Sequence, residues 1–140
     1  MTPEDLTPAL ACVLEAFPGA VSAYLFGSHA EGRAHRESDV DIGVLLQHER
    51  YPTDRARFDA RVTLSAQIAG ALQNSQVDVL ILNDVPPLLA RRIVTAGRRV
   101  FCVDPDADHS FVRDAQLRAA DLEPFLRRMQ ALKLDALGRR

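Results

Sequence analysis

Apolar residues recur along this chain at two spacings, and their alternation predicts four helices and four strands. Leu6, Leu10, Val13, Leu14 and Phe17 fall on one helical stripe. Thr2-Pro3-Glu4-Asp5 has the form of a helix start: a hydroxyl cap, proline at the first helical position, then acids in the first turn. Pro18-Gly19 stops this helix. Ala20 to Phe26 (AVSAYLF) reads as a strand buried on both faces for much of its length. A second strand, Asp39 to Leu46, puts Val40, Ile42, Val44 and Leu46 on a core-facing side and Asp39, Asp41, Gly43 and Leu45 on the other.

After a loop over 47–53, a helix is expected from about Asp54 to Gln73, with Phe58, Val62, Ser65, Ile68, Ala69 and Leu72 near one face. Val77 to Leu82 (VDVLIL) is a third strand, with Val77, Val79 and Ile81 on one side and Asp78, Leu80 and Leu82 on the other. A short helix follows over Pro86–Ala96, closed by Gly97, and Arg98 to Val103 (RRVFCV) forms a fourth strand at an edge. Asp108 then caps a last helix over His109–Leu137. Pro124 inside it predicts a kink or a break near Leu122–Glu123, because proline removes a backbone bond and crowds the preceding turn. The half beyond Pro124 has little chain left to pack against. It either folds back on the domain or offers Phe125, Leu126 and Met129 to another protein.

Composition narrows the class. A chain of 140 residues, 47% apolar and 26% charged, with no repeats and no linker-like stretch, reads as one domain, 1–140. A formal charge of −2 gives no global attraction to nucleic acid or to anionic membranes, so direct nucleic-acid binding is not expected. The start lacks the basic and apolar blocks of a signal peptide, and no apolar run approaches a membrane span, so a cytoplasmic location is expected. Cys12 and Cys102 are far apart and lack metal-ligand spacing, and reduced thiols are the plainer reading. His29, His35, His48 and His109 lack such spacing too.

The candidate chemistry lies at the junction of the first two strands. Gly27-Ser28, ten residues, then Asp39-x-Asp41 would arise by chance at roughly one start position in a hundred thousand, given ordinary residue frequencies. Glycine at the strand end lets backbone approach a phosphate closely. A helical turn from Ser28 to about Gly32 would aim free N–H groups at an anion beside Ser28. Asp39 and Asp41 share a strand face, and two neighbouring carboxylates that stay ionised call for a cation between them, magnesium above all when phosphate is near. Gly43 beside them leaves either space for part of a nucleotide or a bulge. Asp78, charged within an apolar strand, either completes a three-carboxylate cluster with Asp39 and Asp41 or pairs at a strand end with an arginine such as Arg61 or Arg91.

These residues resemble the nucleotidyltransferase fold of the DNA polymerase β superfamily, through Gly27-Ser28, the ten-residue spacing, Asp39-Val40-Asp41, and Asp78 where a third carboxylate is expected. The small size and the long helix after the fourth strand resemble the minimal nucleotidyltransferases (MNT). More narrowly, Leu82-Asn-Asp-Val-Pro-Pro-Leu-Leu and Ala119-Ala-Asp-Leu-Glu-Pro-Phe-Leu resemble the MNT antitoxins that pair with HEPN-domain toxins.

The resemblance implies an α+β fold, a small mixed sheet of about four strands packed by helices. It implies transfer of AMP from ATP to a hydroxyl, in the antitoxins a tyrosine of the HEPN partner, whose ribonuclease is thereby silenced. Two Mg²⁺ ions roughly 3.5–4 Å apart would clamp the attacking and leaving oxygens. Asp39 and Asp41 would share the ions, Asp78 would hold the catalytic one, and Gly27 and Ser28 would cradle the triphosphate. Family members often carry arginines just after Gly-Ser; here His29 and Glu31 stand there, with Arg33 and Arg36 further on. Which basic group meets the triphosphate is therefore open, with Arg91, Arg92, Arg98 and Arg99 as further candidates or as solvated charges. The alternatives are transfer to a small molecule such as an aminoglycoside, for which 140 residues leave little pocket, and a binding module that neutralises its partner by occlusion.

Overall fold

The computed structural model describes residues 3–27 and 39–138; Thr2, Ser28 and the polar segment 29–38, on which several of the expectations above fall, lie outside them. The order is α1 (Pro3–Ala16), β1 (Ala20–Phe26), β2 (Val40–Leu46), α2 (Asp54–Leu72), β3 (Val77–Ile81), α3 (Pro87–Ala96), β4 (Arg98–Cys102) and α4 (Pro105–Gly138). The sheet runs β3-β2-β1-β4, so β4 is an edge as expected and β3 is the other. β1 pairs antiparallel with both β2 and β4, and β2 pairs parallel with β3, which makes the sheet mixed.

Strand parity governs what packs where. Val40, Ile42, Val44 and Leu46 of β2 join Ala23 and Leu25 of β1 and Val79 and Ile81 of β3 in the main core, against Leu6, Leu10 and Leu14 of α1 and Leu64 and Ile68 of α2. The opposite face is also packed. Val21, Tyr24, Leu45, Leu82 and Ile93 form a second, smaller cluster with the partly buried Phe111 and Val112 of α4. The face of β2 that carries the acids is thus covered along its other half, and the acids lie at its open end.

Gly43 belongs to that second cluster. A Cβ on it would sit 2.8 Å from a Leu82 methyl and 3.3 Å from one of Ile93, so its bareness admits α3 onto the sheet and leaves no space for a nucleotide. On α2 the buried face is Ala60, Leu64 and Ile68, a rotation away from the expected stripe, and Phe58 and Val62 are exposed.

The last helix begins earlier than expected. Asp104, not Asp108, is its cap: the Asp104 carboxylate accepts from the Ala107 N–H at 3.1 Å, with Pro105 at the first helical position. Asp108 is instead buried in the first turns, where it accepts from Ser22 Oγ (2.6 Å) and Tyr24 Oη (2.9 Å) of β1 and from Arg99 (3.1 Å) of β4. This cluster fastens α4 to the sheet. Asp108 hydrogen-bonded to it, together with burial as the larger cause, holds the Tyr24 phenol well above its ordinary pKa.

α4 runs through Pro124 as one helix and does not break there. The residues around Pro124 are mostly exposed, so water can take the carbonyl the proline leaves unpaired. The half beyond Pro124 does not fold back: Phe125, Leu126, Met129, Leu132 and Leu137 all stand in solvent.

Candidate active site

The acids of β2 and β3 are set side by side by the parallel register, which matches Asp41 with Asp78 and Gly43 with Leu80. Neighbouring strands lie about 4.8 Å apart, so two carboxylates in register share one side of the sheet within reach of a common ligand. Asp39 precedes β2 by one residue and is exposed.

Gly27 closes the other flank. It ends β1 at φ +75°, in the left-handed region that favours glycine, next to the Phe26–Asp41 pair. A Cβ there would lie 2.5 Å from Asp41 Oδ2, so the Asp41 carboxylate rests directly against bare backbone. A cleft of about 250 Å³ opens at this point between the sheet end and α3, lined by Phe26, Gly27, Asp41, Leu89, Arg92 and Ile93.

Asp78 departs from the expected cluster. Its side chain is 55% exposed, not buried, and Arg61 Nη2 lies 3.7 Å from its Oδ1. It stands beside Asp41 in register, but its ion-pair partner is Arg61, the alternative expected for a strand-end acid. Arg91 is engaged elsewhere, hydrogen-bonded to Glu123 of α4, which lowers the Glu123 pKa and raises that of Arg91. Among the described residues no three acids converge into a ready metal-binding set. A common ion would have to draw the Asp78 carboxylate away from Arg61. The donor set is all carboxylate oxygen, which suits a hard divalent cation.

Arg92 is the site residue that sequence reasoning left undistinguished among four arginines. Arg91 is tied to Glu123 and Arg99 to Asp108, whereas Arg92 lines the cleft with Gly27 and Asp41. Nothing in the sequence said which face of α3 meets the sheet end. Ser28 lies outside the described residues.

Residues 10–106 match the family described as Polymerase beta, Nucleotidyltransferase, well over half of the chain. The chain belongs to the polymerase β nucleotidyltransferase family. Within this family, the protein adenylyltransferase MntA of Shewanella oneidensis is 36% identical to it over 83 residues, 59% of this chain and 55% of that protein; the match thus spans about half the length of this curated relative. Among solved structures, this nucleotidyltransferase resembles a chain of a toxin–antitoxin complex with AMP-PNP at TM-score 0.72 and 27% identity, covering 94% of this chain and 98% of that one. It also shares its fold with a chain of the tri-AMPylated Shewanella oneidensis HEPN toxin in complex with MNT antitoxin, at TM-score 0.68 and 23% identity, covering 96% and 98%. No helix among the described residues is long and apolar enough to cross a membrane.

Proposed function

We propose that this protein is an MNT antitoxin that uses Mg²⁺ and ATP to transfer AMP to a tyrosine hydroxyl of a HEPN-domain toxin, and so neutralises it. The observation that carries the reading is the register of β2 on β3, with Asp41 beside Asp78 and the bare backbone of Gly27 against Asp41. Its similarity to a protein adenylyltransferase and to a toxin–antitoxin chain solved with AMP-PNP supports the same chemistry.

In the reaction the acceptor oxygen bonds to the α-phosphorus of ATP, the bond from that phosphorus to the pyrophosphate oxygen breaks, and pyrophosphate leaves with the electron pair. The hydroxyl proton passes to the Asp78 carboxylate. Such transfers need little covalent help and much positioning and charge neutralisation. Bound Mg²⁺, two ions held by Asp39, Asp41 and Asp78, would supply that neutralisation. Gly27 N–H and the Ser28 hydroxyl cradle the triphosphate, and Arg92 on the cleft wall takes a phosphate oxygen. A tyrosine hydroxyl is neutral near pH 7, so a base at Asp78 contributes about 10²–10⁴ in rate. The exposed stripe of α4 through Phe125, Leu126 and Met129 is the surface offered to the body of the toxin, giving a hetero-oligomeric complex.

The test is incubation with labelled ATP and Mg²⁺, with and without a HEPN-domain partner. Label on the partner that is lost with Asp39→Ala/Asp41→Ala is expected. Full neutralisation of the toxin by that same double variant would replace transfer with occlusion.

A further inference from the structure

A second hollow, of about 670 Å³, opens along the outer edge of β3. Phe58 and Arg61 of α2, Leu80 of β3, and Val85, Pro86 and Leu89 around the start of α3 wall it. Its apolar walls are accessible: Phe58 is 57% exposed and Leu89 37%. Its charges are balanced within the lining. Arg57 donates to Asp54 at 2.6 Å, to Asp84 at 2.8 Å and to the Tyr51 carbonyl at 2.9 Å, while Arg61 faces Asp78. An occupant thus meets a largely apolar trough whose charged groups, Asp54, Arg57, Arg61 and Asp84, are paired with one another or with Asp78.

The trough is continuous with the candidate active site. Leu89 lines both it and the Gly27–Asp41 cleft. Leu80 is two residues from Asp78 on the same strand face, and Arg61 spans from the trough to the Asp78 carboxylate. It therefore meets the acids on the flank opposite Gly27, the flank a nucleotide held at Gly27 leaves open.

We propose that this trough is the acceptor site: it takes an aromatic, hydroxyl-bearing side chain, a tyrosine with its flanking polypeptide, and brings the phenolic oxygen to Asp78. The inference rests on the AMP-transfer reading and names how that site selects its substrate. A serine or threonine would leave the walls uncovered. A phenol ring packs on Phe58 and Leu89 with its hydroxyl at the polar rim, the arrangement in which tyrosine is normally stabilised.

The experiment uses the full chain with a HEPN-domain partner as acceptor, and the variants Phe58→Ala, Phe58→Glu and Phe58→Leu. Acceptor kcat/KM and the affinity for AMP-PNP with Mg²⁺ are measured for each, and melting curves confirm folding, which an exposed position should preserve. Expected is a loss of about tenfold or more in acceptor kcat/KM for Ala and Glu, the scale of a lost apolar substrate contact. Leu should recover part of the loss, and AMP-PNP affinity should stay at the wild-type level in all three. Wild-type kcat/KM in both Phe58→Ala and Phe58→Glu overturns the acceptor site while leaving AMP transfer standing. A wild-type protein that binds AMP-PNP and labels no partner overturns the transfer reading, and the acceptor site with it.

Discussion

Replacing Gly27 with alanine probes the site and the fold together, and the two effects have separate sizes. At φ +75° an L side chain costs about 1–2 kcal/mol relative to glycine. That corresponds to a melting temperature lower by roughly 3–10 °C for a domain of this size. The new Cβ would also lie 2.5 Å from Asp41 Oδ2. Carbon and oxygen ordinarily approach no closer than about 3.3 Å, so the Asp41 carboxylate must retreat by nearly 1 Å. A displacement of that size at a reacting centre costs about 10²-fold. Melting curves and AMP transfer at saturating ATP read the two quantities. Gly70→Ala is the internal control: Gly70 sits in α2, a Cβ there meets nothing within 4 Å, and the change should stabilise by up to about 1 kcal/mol. A Gly27→Ala protein with wild-type transfer would refute the close approach of Gly27 and Asp41 as a catalytic feature.

Three further outcomes are expected. Arg92→Ala should weaken AMP-PNP binding by about 10–100-fold in a calorimetric titration, the scale of one charge-assisted hydrogen bond to phosphate, and unchanged affinity would remove Arg92 from the site. Asp108→Ala leaves the buried hydroxyls of Ser22 and Tyr24 unpaired and should lower stability to urea by about 3 kcal/mol, the low end for a broken buried pair because Arg99 is half-exposed. The raised pKa of Tyr24 fixes a sign in alkali: the unfolded tyrosine ionises near pH 10 while the folded one stays protonated, so its contribution is complete below about pH 10 and is lost as pH rises beyond it. Tyr24→Phe should flatten that alkaline decline in melting temperature, and an unchanged slope would show that another group causes it.

Regular features of the fold were legible in the sequence because they follow from local rules. The period-two pattern of Val40, Ile42, Val44 and Leu46 identified the core face of β2, and the parity of Asp78 foretold its neighbour Asp41. What the sequence withheld depended on contacts between distant elements. Asp108 read as a cap because Asp104 and Asp108 both precede helical residues; only the approach of β1 reveals that Ser22 and Tyr24 need a buried acceptor. Gly43 beside two acids looked like ligand space, yet the side chains that claim it come from Leu82 and Ile93, about 40 and 50 residues away. Helical spacing put Phe58 and Val62 near one face with Ile68, but the helix is rotated so that Ala60, Leu64 and Ile68 are the buried residues. That same rotation leaves Phe58 free to wall the trough beside Asp78.

Asp78 is where register, charge and proposed chemistry meet, and the mass of the partner protein reports on it directly. A HEPN-domain partner incubated with ATP, Mg²⁺ and the wild-type protein should gain AMP adducts in intact-mass spectrometry. With Asp78→Asn, whose neutral amide can neither hold a cation as a carboxylate does nor accept the hydroxyl proton, the partner should stay unmodified. Adducts of equal abundance with Asp78→Asn would contradict the role given to Asp78, and an unmodified partner beside the wild-type protein would contradict AMP transfer itself.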